Sequence, residues 1–228
     1  MLRLTCALLT HTIAVSLSMA ADDPVPLKKG DRIVFLGDSI TQAGVGAEGY
    51  VTLIKKALAE RHKDLKIDVI GAGISGNKVP DLERRLERDV LARKPTIVVI
   101  YIGINDVWHG ESNPANGTSK EKFESGLKDI IARIQKQDAR VILCTPSVIG
   151  EKRTNNLDAK LDEYSAISRK VARETKSRLC DLRKAFVNHL KTHNPADRAS
   201  GILTSDRVHL NATGNRFVAE AMLKCLGE

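Results

Sequence analysis

The run Thr96-Ile97-Val98-Val99-Ile100-Tyr101-Ile102 is apolar at every place after its first, and Gly103-Ile104-Asn105-Asp106 breaks it. A strand with one wet face alternates apolar and polar residues; an unbroken run of this kind belongs to a strand covered on both faces. Outward from it the same unit repeats. Upstream, Arg32 to Leu36 reads as a strand ended by Gly37, and Tyr50 to Ala59 carries Val51, Ile54 and Leu58 at helical spacing. Ile67 to Ile70 is a second short strand ended by Gly71, and Leu82, Leu86 and Val90 mark a charged amphipathic helix behind Pro80. Downstream, Thr118-x-x-Glu121 predicts a capping box, opening a helix with Phe123, Leu127, Ile130, Ile131 and Ile134 on one face. Val141 to Thr145 is a strand stopped by Pro146, Leu157 to Val171 a helix, and Arg178 to Leu182 a short strand; Asn211 caps a last helix. Strands alternating with helices predict an α/β fold with a central, mostly parallel five-stranded sheet of flavodoxin-like layout. In such sheets sites lie beyond the carboxyl ends of the strands. The loops after Leu36, Ile70, Ile102 and Thr145 therefore share one rim.

The chain has 228 residues, 42% hydrophobic and 28% charged, a globular balance that excludes a disordered tail or a fibre. Aromatics are 4%, which argues against a stacking platform for single-stranded nucleic acid. A net charge of +8 raises the question of an acidic polymer as partner. Yet basic and acidic residues are interleaved in Glu83-Arg84-Arg85, in Glu87-Arg88-Asp89 and from Lys120 to Lys136, as on solvated helix faces. No nucleic-acid partner is expected. Residues 1–20 carry Arg3, a mostly apolar stretch from Leu4 to Leu17 and the small-x-small end Ser18-Met19-Ala20, the pattern of a signal peptide cut near Ala20. That predicts a secreted or periplasmic protein, a single domain at 21–228, and no stable membrane anchor after cleavage. Cys144, Cys180 and Cys225 would remain, an odd number without Cys-x-x-Cys spacing. A buried free thiol is expected for Cys144, while one bridge with a leftover thiol stays open. His189 and His193 stand four apart on an expected helix, but no metal is assigned, and no cofactor.

Four short motifs fall on or near the rim. Gly37-Asp38-Ser39-Ile40-Thr41 follows the first strand and holds a serine at its mouth. Gly73 follows the second strand, and Gly103-Ile104-Asn105-Asp106 the third. Asp206-Arg207-Val208-His209 precedes the last helix. Each alone reads as a turn, a helix cap or a surface pair. Together they hold the parts of acyl transfer. A serine hydroxyl needs a base, which His209 supplies, and the base needs an orienting acid, which Asp206 supplies. A developing oxyanion needs converging donors: the N–H of Ser39, the N–H of Gly73 and the side-chain amide of Asn105. Trp108, the only tryptophan, and His109 beside it are candidates for a substrate wall, with plain loop packing as the equal alternative. Asp38 is a further candidate for substrate contact, though with Thr41 it also suits support of the nucleophile loop.

In these four blocks, present in order over about residues 31–226, the sequence resembles the SGNH hydrolase superfamily of GDSL esterases and lipases. The resemblance implies a three-layer α/β/α sandwich and ester hydrolysis through an acyl-enzyme. Carried over to this chain, it makes Ser39 the nucleophile, His209 the base and Asp206 its partner, with Ser39, Gly73 and Asn105 as the oxyanion hole. Gly71 stands where the family often has Asn, which touches loop support rather than the hole. With few aromatics and no apolar lid, the resemblance favours a small acyl group, such as acetyl on a carbohydrate; a small-molecule or glycan ester is the expected substrate. Lysophospholipid or thioester cleavage is the alternative within the family. Outside it stand a polyanion-binding module and a dinucleotide-binding one. The latter is raised by Gly71-x-Gly73-x-x-Gly76 and, less well placed, Gly44-x-Gly46-x-x-Gly49. The first fingerprint lacks an acidic residue at the end of the next strand, Ile102-Gly103.

Overall fold

A computed structural model describes residues 25–152 and 155–228; the expected signal segment lies outside them. Five strands form one sheet: β1 (Arg32–Gly37), β2 (Asp68–Gly73), β3 (Ile97–Tyr101), β4 (Arg140–Cys144) and β5 (Arg178–Cys180). Their order is β2-β1-β3-β4-β5 and every pairing is parallel. Ile33 to Leu36 of β1 and Ile97 to Tyr101 of β3 are fully buried, as their unbroken apolar runs require.

The helices are α1 (Ser39–Gly44), α2 (Tyr50–Arg61), α3 (Val79–Asp89), α4 (Ile104–Trp108), α5 (Lys120–Gln135), α6 (Asn156–Glu174), α7 (Leu182–His193) and α8 (Ala212–Cys225). The helices α3, α5 and α6 pack in succession, whereas α2 packs on α8 and α8 on α7. Right-handed crossovers put the two groups on opposite faces of the sheet, giving three layers. From β1 the chain steps one way to β2, then back across to β3. That reversal opens a crevice at the carboxyl ends of β1 and β3. The opposite end is stapled: Arg140 donates to both carboxylate oxygens of Asp31 at 2.7 and 2.8 Å, and Thr96 Oγ1 donates to the same carboxylate at 2.6 Å. The feet of β1, β3 and β4 are thereby joined away from the crevice. Among the described residues no helix is long and apolar enough to cross a membrane.

Several local expectations change. Strand β2 does not stop at Gly71; it stays in register with β1 as far as Gly73. Strand β5 ends at Cys180, because Asp181 caps α7 by accepting the Lys184 N–H. The cap of α5 is Ser119, which accepts the Lys122 N–H, rather than Thr118, which lies one residue before it. Arg85 is not on a solvated face: only 7% exposed, it lies on the same side of α3 as Leu82 and Leu86. Cys144, Cys180 and Cys225 are all buried free thiols.

Candidate active site

The carboxyl ends of three strands lie at one level. Gly37 is in register with Gly73 on one side and Tyr101 on the other. The residues that follow each strand end therefore emerge together. Gly37 has no room for a side chain, since a Cβ there would lie 2.5 Å from the Tyr101 carbonyl oxygen and 2.2 Å from Thr41 Oγ1. The chain turns tightly against β3 and starts α1 at Ser39. Asp38 caps this helix, its Oδ1 accepting the Ile40 N–H at 2.9 Å. Asp38 is 3% exposed, so its carboxyl supports the turn from beneath and does not reach substrate, a correction to its candidacy as a contact. Burial pushes that carboxyl up to about 7; nearby Asp106 adds to the shift, and the Ile40 bond opposes it.

Opposite Ser39 stands a short loop closed by an antiparallel bridge between Thr204 and Leu210. Asp206 Oδ1 accepts the N–H groups of Val208 and His209 at 3.1 and 2.8 Å. Its Oδ2 lies 2.7 Å from His209 Nδ1, and His209 Nε2 lies 2.9 Å from Ser39 Oγ. A neutral imidazole protonated at Nδ1 satisfies both contacts: it donates to Asp206 and accepts from the serine hydroxyl. Partial burial would raise the Asp206 carboxyl. The bonds from the His209 side chain and from the His209 and Val208 backbones outweigh that and hold it below the ordinary range. Asp206 therefore stays ionised as partner of the imidazole.

The other two expected donors stand at the ends of the neighbouring strands. The Ile74 N–H bonds the Gly37 carbonyl at 3.2 Å. Since successive strand N–H groups point to opposite sides, the Gly73 N–H is turned away from β1. Gly73 presses on the nucleophile turn, with room for no Cβ. Asn105, in the first turn of α4, is buried and donates one amide hydrogen to the Asn77 carbonyl at 3.1 Å, which fixes its plane and leaves a second hydrogen. Its neighbour Asp106 does different work. Buried, with its carboxyl pushed up to about 6 by that burial, it accepts the Val79 N–H at 3.0 Å and anchors the start of α3.

Trp108 is 39% exposed at the end of α4. With Lys78, His109, Ser112 and Asn116 it lines an open cavity of about 510 Å³, whose lining includes none of Ser39, Asp206 and His209. A larger cavity of about 700 Å³ lies between Val148, Lys152, Asn155 and α7, and contains none of Ser39, Asp206 and His209. His189 and His193 stack on each other at 3.9 Å. The glycines of the better nucleotide fingerprint do not form a strand-to-helix turn: Gly71 and Gly73 lie inside edge strand β2, and α3 starts only at Val79. The weaker one links α1 to α2.

Glu151 is a residue that no local pattern marks. Only 1% exposed, its Oε1 accepts the N–H groups of Leu203 and Thr204 at 2.7 and 2.6 Å, and its Oε2 accepts the Ile202 N–H at 2.8 Å. It thus anchors the base of the loop that carries Asp206 and His209. Glu151→Gln would put an amide donor against one of these N–H groups. We expect a stability loss of about 1–3 kcal/mol, read as a lower urea midpoint. An unchanged midpoint would show that the carboxylate does not anchor the loop.

Residues 35–217 match the model of the GDSL-like Lipase/Acylhydrolase family. The acetylxylan esterase of Geobacillus stearothermophilus is 34% identical over 212 residues, covering 87% of this chain and 94% of that protein. Solved structures of catalytic mutants of that enzyme replace a serine, an aspartate or a histidine. The crystal structure of another acetyl xylan esterase superposes with a TM-score of 0.82 at 46% identity, over 86% of this chain and 99% of that one. The isoamyl acetate-hydrolyzing esterase 1 homolog of Rattus norvegicus is 27% identical over 205 residues, 82% of this chain and 78% of that protein.

Proposed function

The chain belongs to the GDSL-like lipase/acylhydrolase family and is a carboxylic ester hydrolase, and from that premise we propose that Ser39 is its nucleophile and an acetyl ester of a carbohydrate its substrate. The observation that carries the reading is the chain of contacts from Asp206 through His209 to Ser39, at 2.7 and 2.9 Å. Ser39 Oγ attacks the ester carbonyl while His209 Nε2 takes its proton. The carbonyl oxygen becomes an oxyanion, held by the N–H groups of Ser39 and Gly73 and by the free amide hydrogen of Asn105. The imidazolium, stabilised by Asp206, then protonates the departing alcohol, leaving an acyl-enzyme. Water, deprotonated by His209, attacks that ester in turn and releases the acid and the serine.

Two things support acetyl on a carbohydrate. Two of the three relatives named above are acetylxylan esterases and the third is a homolog of an acetate-ester hydrolase, and the cavity lined by Trp108 offers what a sugar binds: an exposed indole with lysine, serine and asparagine around it. With a series of nitrophenyl esters, kcat/KM should be highest for acetyl and fall as the acyl chain lengthens. Acetate should be released from acetylated xylo-oligosaccharides. Trp108→Ala should raise KM for the oligosaccharide several-fold and leave nitrophenyl acetate hydrolysis nearly unchanged. A preference for octanoyl esters would overturn the acetyl assignment, and equal effects of Trp108→Ala on both substrates would remove the indole from the sugar site.

A further inference from the structure

Arg85 is a buried cation that none of the four motifs contains. It lies on α3 one turn after Leu82, 7% exposed. Its guanidinium spends its donors in three directions: Nη2 to the Gly37 carbonyl at 2.7 Å, Nε to Asn77 Oδ1 at 2.7 Å, and Nη1 to Asp89 Oδ2 at 3.1 Å. The first two acceptors are telling. The Gly37 carbonyl lies two residues before Ser39 and also takes the Ile74 N–H, which follows Gly73. Asn77 presents its side chain to Arg85 and its backbone carbonyl to the Asn105 amide. One planar group therefore ties together the end of the nucleophile strand, the glycine of the edge strand and the loop that orients Asn105.

From this geometry we propose that Arg85 is a positioning residue for the oxyanion hole. It fixes the distance between the Ser39–Gly73 side of the hole and the Asn105 side. The proposal rests on the reading of those three residues as the hole. A buried arginine could serve as a mere staple of α3 to the sheet, and Asp89 alone would suffice to neutralise it. A staple does not need acceptors on both halves of one site. The fork is specific to arginine: lysine offers a compact point charge that cannot reach Gly37 and Asn77 along two fixed directions at once.

The test is a double-mutant cycle between Arg85→Lys and Asn105→Ala, with kcat and KM measured for nitrophenyl acetate. Arg85→Lys alone should lower kcat by about 10- to 100-fold, as a misplacement near 1 Å does, and leave KM nearly unchanged. Added to Asn105→Ala, it should cost little more, because the donor it aims is already gone. Asn77→Ala removes only the side-chain acceptor and keeps the carbonyl; it should lower kcat in the same way and decides the matter if Arg85→Lys does not fold. A lower thermal midpoint with unchanged kcat would reduce Arg85 to a staple and overturn the proposal, as would full multiplication of the two losses. Unchanged kcat in Asn105→Ala alone would instead overturn the assignment of the hole, and the proposal with it.

Discussion

Ser39→Ala should lower kcat/KM for nitrophenyl acetate by about 10⁶-fold while the protein stays folded. The size follows from the role. Without Oγ no acyl-enzyme forms, and only the slower attack of water on a bound ester remains, helped by the hole and by His209. The fold should be nearly indifferent. Ser39 is half-buried, and its hydroxyl makes a single side-chain bond, to His209 Nε2. Removing it is a surface-like change, within about 0.5 kcal/mol of wild type. The loss of activity is therefore separable from loss of structure. Thermal unfolding and circular dichroism should match wild type, and a fluorophosphonate probe should label the wild-type chain at Ser39 and fail to label the variant. Activity retained above one part in a hundred would sink the nucleophile assignment, since no general-base mechanism through water alone reaches so close.

The elements of the fold were readable because each strand is a short apolar run between turn residues. Strand β3 is the plainest case: Ile97 to Tyr101 has no polar place to spare, and a strand with no wet face sits inside a covered sheet. The same reading stopped β2 too early. A glycine looks like a breaker, but an edge strand with one hydrogen-bonded side tolerates Gly71 and Gly73. Ser39, Asp206, His209, Gly73 and Asn105 were nameable because acyl transfer demands those groups. That three of the motifs share one rim followed from the alternation of strands and helices, but their level along it did not. The common level of Gly37, Gly73 and Tyr101 is a matter of register, set by hydrogen bonds between strands far apart in sequence.

Arg85 and Glu151 show where a one-dimensional reading runs out. Arg85 sits in a run of mixed charges and looked solvated. Yet it is three residues from Leu82, so α3 turns it inward, and two of its three acceptors come from other segments. Glu151 is bound almost wholly by backbone N–H groups of residues 202–204, which leave no trace in residue identity. Thr118 and Ser119 are both capping types, and it is Ser119 whose hydroxyl accepts the Lys122 N–H. Partners distant in sequence or made of backbone atoms, the Gly37 carbonyl for Arg85 and the N–H groups of residues 202–204 for Glu151, are what residue identity alone does not record.

Gly73→Ala should cost turnover heavily for a single methyl group. Its Cβ would lie 2.1 Å from the Gln42 nitrogen, 2.5 Å from the Thr41 carbonyl carbon and 2.7 Å from the Asp38 oxygen. These are backbone atoms of the nucleophile turn, and no rotamer change relieves them. Either α1 must lift away from β2 or the end of β2 must bend out. Both movements separate the Ser39 N–H from the Gly73 N–H, which the proposed hole needs aimed at one oxygen. Losing one such donor costs about 10²–10³ in turnover, so kcat should fall by at least that, with KM changed much less. Overpacking should also cost about 1–3 kcal/mol of stability. Gly71→Ala, two residues earlier on the same strand, is the control. Its Cβ would meet Val45 Cγ1 at 2.2 Å, but that side chain is exposed and can turn into solvent. It should keep kcat within a few-fold of wild type. If Gly73→Ala kept wild-type kcat, Gly73 would be no part of the hole; if both variants lost turnover equally, the damage would lie in the edge strand as a whole rather than in the approach of Gly73 to the nucleophile turn.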